Sequence, residues 1–204
     1  MKFGFDLDEV VCDLTDSLCN LMREAHDVDH TIEVFEGYNF YQNDYCGDDG
    51  VNEEIADMLV HAVRDLGILS NCKVDERFAR LVSFLYAYGY EIHFITARQP
   101  EAEEVTRDWL DRHNIPYTSL TIIGYGNNKG PKIKALGLDY FIDDFTENIE
   151  AAIKYDENLK GRTFLVDKPW NRDYINSDVI RVKTEHDVIK ALFNYYNRRT
   201  ACQK

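Results

Sequence analysis

The sequence predicts an α/β fold, a doubly wound parallel sheet with a small helical cap inserted after the first strand. Three observations carry that expectation. Six short runs rich in β-branched and aromatic residues recur along the chain, stretches with helical spacing fall between and after them, and one long excursion without a core strand interrupts the rhythm early. Alternating strand and helix implies βαβ units, and therefore a parallel sheet covered on both faces.

The first run, KFGFDL at 2–7, is a strand bounded by polar residues. Helical spacing follows at 14–26 and again at 52–66, with an irregular aromatic stretch between them. A helix over 75–88 leads into the strand YEIHFI at 90–95. The helix over 99–113 has Pro100 near its start and acidic residues in its first turn, both favourable there. SLTII at 119–123 is the third strand, and the helix over 129–137 should stop at Gly137. DYFI (139–142), TFLV (163–166) and DVIRV (178–182) complete six strands, with helices over 146–157 and 185–197. The expected division is a catalytic core of residues 1–13 and 75–204 and a helical cap of residues 14–74, because insertions of that length are usually functional lids.

At 204 residues, 45% hydrophobic and 13% aromatic, the chain can bury one core plus a sizeable insertion. No run approaches the ~18–20 continuous apolar residues of a membrane span, and the N-terminus lacks the basic-then-apolar layout of a secretory signal. A cytoplasmic protein without membrane partners is expected. The five cysteines (Cys12, Cys19, Cys46, Cys72, Cys202) are scattered, without CxxC pairs or histidines at metal spacing, so they read as reduced thiols. A formal charge of −14 argues against binding a nucleic acid polymer, which needs clustered Lys and Arg. A homodimer is left open as the assembly.

In open α/β sheets ligands collect beyond the carboxyl ends of the strands. Those ends carry Asp6 and Asp8, then Thr96 and Arg98 in FITAR, then the doublet Asp143-Asp144, with lysines upstream in NNKGPKIKALGLDYFIDD. Singly, each has a bland reading as a turn, a helix cap or a solvated face. Together they place four carboxylates at one end of a sheet, where each close pair costs on the order of 4 kcal/mol at an effective dielectric of about 20. A divalent cation with hard oxygen ligands offsets that repulsion, and Mg2+ suits a site without Cys or His better than zinc does.

The set Asp6-Leu7-Asp8, Thr96, an upstream lysine and Asp143-Asp144, in that order, resembles the haloacid dehalogenase superfamily of Rossmann-like fold, and specifically its magnesium-dependent phosphatases. Within it, GFDLDEVVCD, FITAR, YFIDD, FLVDKPWNR and the insert after the first motif look most like the 5'(3')-deoxyribonucleotidase-type family and its bacterial and phage relatives. Glu9 stands where many members have glycine. The resemblance implies that Asp6 is the nucleophile, Asp8 the general acid and base, Thr96 a hydrogen-bond donor to the phosphoryl group, and Lys129 the motif lysine, with Lys132 as the alternative. It implies Mg2+ held by Asp6, the backbone carbonyl of Asp8, and one or both of Asp143 and Asp144. A receiver-type signalling domain uses similar side chains, but there the lysine follows the last core strand, whereas here it precedes the acidic doublet.

The implied substrate is a small phosphorylated molecule, most simply a nucleoside monophosphate. A sugar phosphate, a nucleic-acid 3' end and a non-catalytic phospho-ligand binding role stand as alternatives. In FEGYNFYQNDY, Phe35, Tyr38 and Phe40 either stack on a nucleobase or form the insertion's own small core. Arg98 is expected to bind substrate oxygens, with pairing to surface acids as the alternative, Trp170 to be structural, and His93, inside a strand, to be a core histidine.

Overall fold

The structure is a computed structural model. It describes the backbone of residues 1–36 and 39–201, with side chains through residue 194. Six parallel strands form one sheet: β1 (Lys2–Phe5), β4 (Glu91–Thr96), β5 (Ser119–Ile122), β6 (Tyr140–Asp143), β7 (Thr163–Val166) and β8 (Val179–Val182). Their spatial order is β5-β4-β1-β6-β7-β8. The chain therefore builds outward from β1 through β4 to β5, then returns to start the other half at β6. The order reverses between β1 and β6, so the crevice beyond their carboxyl ends is where a ligand site is expected.

Side-chain alternation explains the two layers. Phe3, Phe5, Ile92, Phe94, Ile142 and Phe164 face one core with helices α4 (Glu76–Ala87), α5 (Glu103–Arg112) and α8 (Glu185–Ala201). Ile95, Phe141 and Leu165 face the other, against α6 (Gly130–Leu136) and α7 (Thr146–Tyr155). Gly4 lies between Phe3 and Phe5 on the second face, where a Cβ would sit 2.3 Å from Leu138 Cδ1, so the close packing there needs a residue without a side chain. α6 ends at Gly137 with φ 61°, the left-handed stop its position suggested.

Between β1 and α4 the chain makes its excursion. A two-residue strand β2 (Cys12–Asp13) pairs antiparallel with β3 (Lys73–Val74), so the intervening segment leaves and returns through one short ribbon. That segment contains α1 (Leu14–His26), short 3-10 turns at Ile32–Val34 and Phe40–Gln42, α2 (Asp49–Ala62) and α3 (Leu66–Asn71). Aspartates accept backbone N–H bonds at the starts of α1, α2, α3 and α4, at Asp13, Asp48, Asp65 and Asp75, which puts part of the acidic excess at positive helix ends.

The sequence expectation differs from the structure in three places. The ribbon of β2 and β3 was not expected, because two residues show no periodicity. The helix expected over 52–66 is α2, Asp49–Ala62, and a further short helix, α3, begins where Asp65 caps it. The helix expected over 99–113 opens as a 3-10 turn at Pro100–Ala102.

Candidate active site

Register brings the acidic strand ends together. Phe5 lies opposite Ile142, and the Asp6 N–H donates to the Ile142 carbonyl at 2.8 Å, so Asp6 and Asp143 leave the sheet side by side. Lys129, just before α6, lies beneath both with no exposed surface, its Nζ 2.7 Å from Asp6 Oδ1 and 2.8 Å from Asp143 Oδ2. Lys132 makes no such contact. The other oxygen of Asp143 accepts from the Phe145 N–H at 2.8 Å and from Asn148 Nδ2 at 3.1 Å. Asp144 accepts from the Trp170 indole N–H at 3.0 Å, and Asn171 donates to its carbonyl at 2.8 Å.

Asp6, Asp143 and Asp144 each offer a carboxylate oxygen within 4.8 Å of the others. With the neighbouring Asp8 and Glu9, five carboxylates there face three cations, Lys129, Arg98 and Lys168, leaving an excess of negative charge. Burial pushes Asp6 up to about 7, opposed by Lys129 and reinforced by Asp143 and Asp8. Burial would pull Lys129 down, but Asp143 and Asp6 outweigh it, so its proton stays on the ammonium. Asp6 Oδ1 is buried, and its partner is the Lys129 ammonium 2.7 Å away. Three buried carboxylates whose oxygens lie within 4.8 Å of one another, with no Cys or His among them, fit a hard divalent cation of the magnesium class.

Asp8 turns away from that cluster. Its carboxylate is held by Arg98, with Nη2 2.7 Å from Oδ1 and Nε 3.0 Å from Oδ2. Thr96 Oγ1 donates to Asp8 Oδ2 at 3.4 Å and accepts from the Arg98 N–H at 3.3 Å. The guanidinium also reaches Thr106 Oγ1 at 3.0 Å and Cys12 Sγ at 3.3 Å. Arg98 lines the cleft above the acids, and of the two expectations for it the structure shows the acid pairing, with its guanidinium buried against Asp8. The metal expectation for Asp8 was its backbone carbonyl, so its side chain's absence from the three-carboxylate cluster is consistent with the motif.

Glu9 occupies the left-handed region, with φ 60°. That conformation costs a non-glycine residue ~1–2 kcal/mol. The buried carboxylate compensates: it accepts from the Thr15 N–H at 2.6 Å and from Lys168 Nζ at 2.9 Å. Glu9 thereby ties the loop after β1 to the first turn of α1 and to the segment after β7. Burial raises its pKa, with Lys168 opposing.

Above the acids is a cleft of about 770 Å³ whose lining includes Asp6, Asp8, Asp144, Phe35, Phe40, Tyr41, Arg64, Tyr125 and Trp170. That volume suits a small organic ligand. Phe35 serves both sequence readings: it lines the cleft, yet it is buried edge-on against Phe40 and Tyr45 at centroid distances of 5.9 and 6.2 Å. Tyr38 and Cys202 lie outside the described residues. His93 is a core histidine with Nδ1 2.7 Å from Ser119 Oγ.

A family model described as "5' nucleotidase, deoxy (Pyrimidine), cytosolic type C protein" matches residues 1–198. The chain belongs to this nucleotidase family. A Bacillus cereus protein whose name assigns it provisionally to the nucleotidases is 26% identical over 172 residues, 80% of this chain and 86% of its own. Among solved structures, the D,D-heptose 1.7-bisphosphate phosphatase from B. bronchiseptica aligns with a TM-score of 0.56 at 10% identity, covering 96% of this chain and 99% of that one. A HAD-superfamily hydrolase from Geobacter sulfurreducens aligns at 0.53 with 12% identity, covering 93% and 97%. These two show the fold. The family match makes this nucleotidase-family protein an enzyme, a phosphoric monoester hydrolase.

Several residues of its site escaped the sequence reading. Asn148 sits in the first turn of α7, five residues after Asp143, and a strand-end acid followed by a helix with an amide in its first turn is a usable signal. Asn171 and Trp170 lie in the FLVDKPWNR segment that the sequence singles out, with Trp170 read as structural, but nothing local shows that they brace Asp144, 27 and 26 residues away.

Proposed function

We propose that this family member hydrolyses nucleoside monophosphates, deoxy forms included, with Mg2+ and through an aspartyl-phosphate on Asp6. The observation that carries the reading is Asp6 held beside Lys129, Asp143 and Asp144 at the reversal of strand order, beneath a cleft with aromatic walls. Phosphate monoester hydrolysis needs acceleration of up to about 10²¹-fold, roughly 28 kcal/mol at about 1.36 kcal/mol per decade. Positioning supplies ~7–11 kcal/mol, so a nucleophile, a proton carrier and charge neutralisation share the rest.

A carboxylate oxygen of Asp6 attacks phosphorus as the bond to the leaving oxygen breaks, and Asp8, entering this step protonated, gives its proton to that alkoxide and becomes the carboxylate that Arg98 holds. Asp8 then takes a proton from water as the water attacks the same phosphorus, releasing inorganic phosphate and the Asp6 carboxylate. Thr96 donates to a phosphoryl oxygen, and Lys129 limits repulsion between Asp6 and the incoming phosphate. Asp6, Asp143, Asp144 and the carbonyl of Asp8 would hold magnesium, whose charge offsets that of the phosphoryl oxygens. The B. bronchiseptica neighbour was solved with magnesium and phosphate, which supports the choice of ion. Residues 14–74 act as the cap. The family description and the free thiols of Cys12, Cys19, Cys46 and Cys72 support a cytoplasmic setting.

The test compares deoxynucleoside monophosphates with deoxyribose 5-phosphate, with and without magnesium, for the native protein and Asp6→Asn. The reading expects metal-dependent turnover, a preference for nucleotides, and loss of turnover in the variant. Undiminished activity in Asp6→Asn would overturn it.

A further inference from the structure

Ten arginines have described side chains, at positions 23, 64, 77, 80, 98, 107, 112, 162, 172 and 181. Nine are engaged: eight donate to acids or to backbone or side-chain oxygens, and Arg162 also has a partner. Arg64 alone makes no side-chain hydrogen bond or ion pair among the described residues, in a chain with 37 acids. It follows α2, lines the cleft, and sets its guanidinium carbon 5.7 Å from the ring centroid of Tyr125. Tyr125 follows β5 on the opposite wall and is 70% exposed, with no hydrogen bond from its hydroxyl among the described residues. An exposed cation–π contact is weak, so the packing of neither wall depends on this one.

A cation without an acidic partner and a largely exposed ring, joined only by that weak contact, are both available to a ligand in the cleft. The aromatics expected to take a base, Phe35 and Phe40, are instead partly used up in the insertion's own core. We propose that Tyr125 and Arg64 recognise the nucleobase: the ring of the base stacks on Tyr125 in place of the guanidinium, and Arg64 donates to an exocyclic carbonyl of the base. Stacking alone tolerates any base. The arginine fork adds selectivity, because uracil, thymine, cytosine and guanine present a carbonyl oxygen and adenine does not. Phosphate binding remains with the acidic floor and Lys129, so this assignment deepens the proposed nucleotidase function and rests on it.

The experiment measures kcat/KM for dUMP, dAMP and deoxyribose 5-phosphate in the native protein, Arg64→Ala, Tyr125→Ala and Tyr125→Phe. Using the ratio of each nucleotide to the sugar phosphate cancels any loss of folded enzyme. Arg64→Ala is expected to lower the dUMP ratio about tenfold, through KM, and to leave the dAMP ratio within about twofold. Tyr125→Ala should lower both ratios, and Tyr125→Phe should restore them. Unchanged ratios in Arg64→Ala, or an equal fall for uracil and adenine, would overturn the assignment, as would failure of Tyr125→Phe to restore stacking. If the native protein does not prefer nucleotides over deoxyribose 5-phosphate, the nucleotidase reading fails first, and this one with it.

Discussion

Arg98 grips Asp8 with two nitrogens, Nη2 at 2.7 Å and Nε at 3.0 Å, across 90 residues of sequence. Asp8 is the residue assigned to move the proton, so the guanidinium sets where that carboxylate sits before substrate arrives. Lysine keeps the charge but offers a point rather than a fork. Arg98→Lys is expected to lower kcat about tenfold on nucleotides, whose leaving group is an alkoxide. On p-nitrophenyl phosphate, whose leaving group needs little protonation, the loss should be smaller. A steady-state comparison of the two substrates checks this.

Asp8→Asn removes the proton carrier itself. General acid–base catalysis contributes ~10²–10⁴-fold, so nucleotide turnover should fall by about that factor. Single-turnover measurements should show phosphorylation surviving with the aryl phosphate and the trapped phospho-enzyme persisting, because Asp8 also serves the hydrolytic step.

Glu9→Gly sets two effects against each other. Glycine relieves the cost of φ 60°, ~1–2 kcal/mol. It also strips the partner from Lys168, and breaking a buried ion pair costs ~3–5 kcal/mol. The pairing term is larger, so the variant is expected to be destabilised by about 2 kcal/mol, and adding Lys168→Met should recover part of that. Urea unfolding of the single and double variants measures both.

The acidic floor was legible in the sequence because carboxylates ending apolar runs are conspicuous, and because Lys129 stands upstream of Asp143-Asp144 in the right order. The six strands were legible for the same reason of pattern. Pairings across the chain were not. The sequence left Arg98 between substrate and an acid because its partner, Asp8, lies in another βα loop. Glu9 looked like a departure from glycine because its compensating contact, Lys168, is 159 residues away. The β2–β3 ribbon is too short to show a period, and the lack of an acidic partner for Arg64 is visible only once every other arginine with a described side chain has been matched.

Removing the metal should cost stability as well as activity. A ligand at 100 times its dissociation constant stabilises by about 2.7 kcal/mol, which for a chain of this length corresponds to roughly 5–11 °C in Tm. Magnesium titration followed by thermal melting should show that rise in the native protein and little of it in Asp144→Ala.

The most direct measurement is anomalous diffraction from crystals soaked in Mn2+ as a visible stand-in for magnesium. One strong peak is expected within ~2.0–2.3 Å of a carboxylate oxygen of Asp6 and of Asp143 or Asp144. Crystals with saturating manganese and no peak between those side chains would contradict the account.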